Sequence, residues 1–150
     1  MMFNTGLEVI KNIFENFTEV DSYDRVIDIE MSCSENILKG FKFPITIDCE
    51  KFDRNTLLEI NTSRIINDQD FGIFTDNYIE NMYGVLTNNS HFTFNTIINI
   101  NNANITNHNQ FNNNILNNIY GNIVNNGDGI FDNNSIEELN QANITNNKFF

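Results

Sequence analysis

Four carboxylates, Asp28, Glu30, Asp48 and Glu50, stand where a pleated pair of strands would gather them on one polar face. Residues 25–33 alternate, with Ile27, Ile29, Met31 and Cys33 on one side and Val26, Asp28, Glu30 and Ser32 on the other. Residues 41–50 repeat the alternation, setting Phe43, Ile45, Ile47 and Cys49 against Pro44, Thr46, Asp48 and Glu50. An antiparallel hairpin closed by residues 34–40 pairs Ile27 with Cys49, Ile29 with Ile47 and Met31 with Ile45. That register sets Asp28 opposite Asp48, and a slip of one position would bury Asp48. Like charges directly opposite destabilise a sheet, so this acidic interaction face invites a cation or a basic partner. With Asp21, Asp24, Glu35 and Asp53 added, it also supports an acidic mimic of nucleic acid that inhibits a basic protein. Cys33 and Cys49 fall at opposite ends of the hairpin, too far apart to bridge, and are expected as free thiols.

A second candidate is Asn126-Gly127-Asp128-Gly129-Ile130-Phe131-Asp132, between two expected helices. It resembles part of an EF-hand or dockerin-type calcium loop. The resemblance implies that Asn126, Asp128 and Asp132 are metal ligands at the third, fifth and ninth loop positions, with Gly129 as the turn glycine. Val124 and Ser135 take the first and twelfth positions, where acidic ligands belong, although calcium needs roughly six to eight oxygens. A helix-linking turn is therefore preferred, with a calcium-dependent module as the alternative; no other cofactor is expected. His91 and His108 form no His-Glu-x-x-His pair, and the chain has no phosphate loop or nucleophile elbow. Catalysis is not expected.

The 150 residues suffice for one domain, 1–150, and 40% hydrophobic residues with 14 Phe supply its core. A net charge of -12 opposes direct binding to nucleic acid or to anionic membranes. No apolar run approaches the roughly 18–20 residues that span a bilayer. The first residues lack the basic and apolar regions of a secretory signal, so a soluble, cytoplasmic protein of the producing or host cell is expected. Asparagines crowd residues 88–150. Asn, Ile and Phe have AT-rich codons, and so does Lys, yet only five lysines occur. An AT-rich genome such as a virus's explains the asparagines, and the acidity looks selected.

The elements expected to carry these groups make an α+β fold. Residues 6–20 carry Leu7, Ile10, Phe14 and Phe17 at helical spacing and read as an N-terminal amphipathic helix. Helical spacing returns at 55–66, at 76–86 and at 111–124, where Ile115, Leu116, Ile119, Tyr120 and Ile123 fall on one face. Residues 91–100 read as a strand, and Ser135 with Glu138 as a capping box opening a last helix. Segments 55–82 and 113–139 resemble one another at an offset of 58 falling to 57, through Ile65/Ile123, Gly72-Ile73-Phe74/Gly129-Ile130-Phe131 and Ile79-Glu80/Ile136-Glu137. This reads as a degenerate helix-turn-helix duplication within one domain, since solenoids need three or more units. Phe14, Phe17, Ile29, Ile47, Phe74, Phe94, Ile119 and Phe131 are expected in the core. The function expected is a non-catalytic structural or protein-interaction subunit, with a protein partner or self-association.

Overall fold

The computed structural model of this chain describes residues 3–5, 9–15, 25–29, 32–40, 45–48, 50–60, 63–67, 73–88, 91–126 and 130–147. Among them every element is a β-strand, and every pairing is parallel between one turn of the chain and the next. Parallel partners need a long crossover; here each crossover is a coil of the same solenoid.

Coil 1 holds β1 (Phe3–Thr5), β2 (Val9–Ile10) and β3 (Ile13–Glu15). Coil 2 holds β4 (Arg25–Ile29), β5 (Ser32–Ser34) and β6 (Ile37–Lys39), and coil 3 holds β7 (Ile45–Asp48), β8 (Lys51–Asp53) and β9 (Thr56–Leu58). In coil 4, β10 (Ser63–Asn67) and β11 (Ile73–Thr75) lead into the long β12 (Tyr78–Asn88). Three two-strand coils follow: β13 (His91–Thr93) with β14 (Thr96–Asn107), β15 (Phe111–Asn112) with β16 (Ile115–Asn125), and β17 (Phe131–Asp132) with β18 (Ser135–Asn146). The strands stack as three sheets, ordered β1-β4-β7, β17-β15-β13-β11-β8-β5-β2 and β18-β16-β14-β12-β9-β6-β3. β10 pairs with the second half of β12, from Ser63↔Gly84 to Asn67↔Asn88, so the long strands turn a corner and supply a side that short strands supply earlier.

One six-residue pattern makes each coil: an apolar residue, two others, Asn, one other, and a second apolar residue. It recurs as Phe52…Asn55…Leu57, Phe74…Asn77…Ile79, Phe92…Asn95…Ile97, Phe111…Asn114…Leu116 and Phe131…Asn134…Ile136. The residue just before the Asn is left-handed in all seven coils: Lys11, Glu35, Arg54, Asp76, Phe94, Asn113 and Asn133 have φ of 52–58°. That single left-handed residue turns the chain from one sheet to the next. The apolar positions then point inward. Phe52, Phe74, Phe92 and Phe111 are fully buried and stack with centroids 4.8, 4.8 and 5.0 Å apart; Phe131 continues the column at 5.2 Å. Each such pair adds about 0.5–1.5 kcal/mol beyond the area it buries. Leu57, Ile79, Ile97 and Leu116 form a parallel column, and Ile60, Met82, Ile100 and Ile119 another.

The α+β expectation is therefore corrected throughout. Residues 6–20, expected as a helix, form β2 and β3 where they are described, and the helices expected at 55–66, 76–86, 111–124 and after Ser135 are, where described, strands and the corners between them. Among the described residues no helix packs on a sheet face. The cause is a second set of left-handed residues, Glu59, Asn81, Asn99, Asn118 and Glu138. Each inserts a corner inside a run of strand, so inward positions fall three and then four apart, as in Ile79, Met82 and Leu86 or Leu116, Ile119 and Ile123. That spacing imitates a helix. The antiparallel hairpin is also absent: β4 and β7 pair in parallel, Ile27 with Ile47, and residues 34–40 contain a strand instead of a hairpin loop.

The helix-turn-helix duplication is replaced by the coil. The ladder asparagines step by 18, 19 and 20 residues from Asn77 to Asn134, so the 57-residue offset spans three coils. Of the expected core, Phe74 and Ile119 are buried and Phe14 and Phe131 are partly so, whereas Phe94 is 58% exposed on its corner. Phe17 lies outside the described residues.

Candidate interaction surface

The asparagines of the repeated pattern line up through all seven coils, and six of their seven backbone N–H groups donate to the carboxamide of the following coil. Asn12, Asn36, Asn55, Asn77, Asn95 and Asn114 each donate to the next Oδ1 at 2.8–3.0 Å. Each side-chain Nδ2 reaches the same Oδ1 at 3.0–3.3 Å. From coil 3 onward Nδ2 also donates backwards to the carbonyl of Cys33, Phe52, Phe74, Phe92 or Phe111, at 2.7–3.0 Å. Buried carboxamides would otherwise cost about 1–3 kcal/mol per unmatched group, and the ladder matches them. Its spacing and chemistry are those of the asparagine ladders that strengthen cross-β stacks. Shorter exposed or half-buried ladders run alongside through Asn81, Asn99, Asn118 and Asn140 and through Asn104, Asn122 and Asn143.

The ladder has a direction. Among the described residues nothing accepts from the backbone N–H of Asn134, in the last coil, and nothing donates to Oδ1 of Asn12, in the first. Asn12 instead turns its Nδ2 to its own Ile10 carbonyl at 3.1 Å. The strands share this: β1, β2 and β3 at one end, and β17 and β18 at the other, pair on one side only among the described residues. β18 is a 12-residue edge, a ready template for another strand. Ile10 and Ile13 at one rim, and Ile130, Leu139 and Ile144 at the other, are exposed.

The corner column beside the ladder alternates in charge, Lys11, Glu35, Arg54, Asp76. Lys11 Nζ and Arg54 Nη2 lie 3.5 and 3.1 Å from the Glu35 carboxylate, and the Arg54 hydrogen bond holds that carboxyl below its usual range. Asp53 is buried, ion-paired with Arg54 and with Lys51 at 3.5 Å, and accepts from the Ser34 hydroxyl. Burial pushes the Cys33 thiol up to about 12, against a hydrogen bond from Asn36 and with help from Asp53. The thiolate is the nucleophile, so burial disfavours the reactive form of Cys33 at neutral pH. An open groove of about 510 Å³ is lined by Asn101, Asn104, Tyr120, Gly121, Asn122 and Gln141; carboxamides and a phenol give it hydrogen bonds and no charge.

Of the acidic face, Asp28 and Asp48 are register partners, through the parallel pair β4–β7. Glu50 is exposed just before β8, and Glu30 and Cys49 lie outside the described residues. In the calcium-loop segment, Asn126 accepts from Asn147 at 2.8 Å and Asp132 is exposed on β17, while Asp128 lies outside the described residues. The segment ends in β17 and is flanked by the strands β16 and β18, not by the helices of an EF-hand. Among the described residues no group of three or more His, Cys, Asp or Glu could hold a metal ion, and no helix is long and apolar enough to cross a membrane. Sequence reasoning missed the ladder asparagines, whose signal was the apolar-x-x-Asn-x-apolar pattern at every coil. No family model, no curated protein and no solved structure matches this chain.

Proposed function

We propose that this protein is a non-catalytic structural or protein-interaction subunit, a stiff solenoid whose role is to present strand edges and carboxamide-rich sides to other proteins. The observation that carries the reading is the ladder. The polar side chains inside the molecule are spent on binding one coil to the next, and among the described residues the same bonding pattern is left open at the two rims. The described acids support it too, because in the corner column Lys11 and Arg54 flank Glu35 and pair with it, so the column is not an unbroken acidic array.

Size-exclusion chromatography with light scattering, at low and high salt and with and without chelator, tests this. Assemblies larger than the monomer that survive high salt are expected, since apolar and backbone contacts are not screened. Assembly lost at high salt would move the reading to an acidic mimic docked on a basic protein. A monomer whose melting temperature rises with added calcium would move it to a cation-dependent module.

A further inference from the structure

We infer that the rims are complementary halves of one junction, so that the last coil of one copy stacks on the first coil of another, head to tail. The inference rests on the structural-subunit reading and names its partner as a second copy of this chain. Two observations carry it, and a third sets its salt dependence.

Hydrogen bonding is matched in kind and direction. Asn134 offers the backbone N–H that each earlier coil gives to the next Oδ1, and Asn12 offers an Oδ1 of the type that accepts it. Asn12 Nδ2, now bonded to Ile10, would take the Phe131 carbonyl, as Asn134 takes that of Phe111.

The register is matched as well. Continuing the observed columns sets Phe131 against Val9, Ser135 against Ile13 and Ile136 against Phe14 of the next copy. Apolar columns therefore run on unbroken, and exposed Ile13 gains cover. Both rims present parallel strands in the same sense, so the contact is heterologous. Repeating it gives an open filament and not a closed ring.

Charge opposes the junction in an informative way. The same register puts Glu137 against Glu15 of the next copy, and each copy carries a net charge of -12. Assembly is therefore promoted by salt, the reverse of an electrostatic complex.

Sedimentation velocity over a range of concentrations and salt tests this on the full chain. Raising ionic strength from about 0.01 M to about 1 M shortens the screening length from about 30 Å to about 3 Å, and the mean mass should rise with it. Glu137→Lys should assemble at low salt, where the parent chain does so weakly. Asn12→Ala, at an exposed rim position, should fold as the parent does by circular dichroism yet assemble at least tenfold more weakly. Mixing Ser135→Cys with Ile13→Cys under oxidising conditions should give the mixed disulfide in preference to either symmetric one. Assembly unchanged in both Glu137→Lys and Asn12→Ala, or symmetric cross-links alone, would overturn the junction and leave the structural-subunit reading standing. A parent chain that stays monomeric under every condition would overturn both.

Discussion

Replacing Asn95 with Ala tests the ladder where it is most enclosed. Asn95 is 1% exposed. Its Oδ1 accepts from the Asn77 backbone N–H and from Asn77 Nδ2, both at 3.0 Å. Its Nδ2 donates to the Phe74 carbonyl at 3.0 Å and to Asn114 Oδ1 at 3.2 Å. Truncation removes all four bonds. Asn77 Nδ2 keeps the Phe52 carbonyl, and Asn114 Oδ1 keeps the Asn95 backbone N–H, but the Asn77 backbone N–H is left buried with no acceptor. The orphaned donor costs about 1–3 kcal/mol and the three other bonds about 0.5–1.5 kcal/mol each. The total, about 2.5–7.5 kcal/mol, is a large part of the roughly 5–15 kcal/mol that holds a domain together. Urea unfolding, read as a lower midpoint at unchanged slope, measures it. Asn122→Ala is the control, because that ladder is exposed, and it should stay within about 0.5 kcal/mol of the parent. Asn95→Asp keeps the acceptor but aims a carboxylate oxygen at two other acceptors. The folded state then favours the protonated acid, so that variant should regain stability as pH falls. Equal costs for Asn95→Ala and Asn122→Ala would refute the claim that the buried ladder holds the coils together.

Phe94 is left-handed with φ of 57°, a conformation that costs a bulky residue about 1–2 kcal/mol, so Phe94→Asn should raise the melting temperature; a fall would show that the exposed ring is doing packing work. Phe74→Ala should cost about 3–5 kcal/mol, and Phe131→Ala clearly less, because Phe131 is only partly buried at the end of its stack; chemical denaturation of the two variants gives the order. Cys33 should resist thiol reagents in the native protein at pH 7 and react on unfolding. Its folded value is raised from 9.0 to about 12, so the native state holds the proton more tightly and its contribution to stability is lost as pH rises from about 9 through 12. A melting temperature flat across that range, or native-state labelling at pH 7, would contradict this.

Much of the architecture was legible as periodicity, but the period was read at the wrong scale. The similarity between Ile73-Phe74 and Ile130-Phe131 joins residues of one stack, three coils apart, and the intermediate copies at Phe92 and Phe111 went unseen because they keep few residues besides Phe and Asn. Strand and helix were confused for a definite reason. Left-handed Asn118 and positive-φ Gly121 (φ 136°) break the two-residue alternation of β16, and the surviving inward residues fall at helical spacing. Alternation in residues 25–29 and 45–48 marked strands correctly. It carries no information on which strand is the partner, and a hairpin was the nearest choice although the pairing lies one coil away. The carboxamide ladder was hidden by abundance. Among so many asparagines, the seven of the main ladder share an apolar residue three before and two after, but Asn122, between Ile119 and Val124, shows the same pattern on an exposed side.

Successive ladder asparagines are 24, 19, 22, 18, 19 and 20 residues apart, yet the bonds between them hardly vary. The fold counts its chain in turns and not in residues. Slack of up to six positions is taken up away from the ladder, whereas a single insertion between a core Phe and its Asn would throw that turn out of phase. A turn added or removed whole would therefore keep the ladder in phase, so the number of turns is set by the sequence turn by turn and not by any closure of the fold.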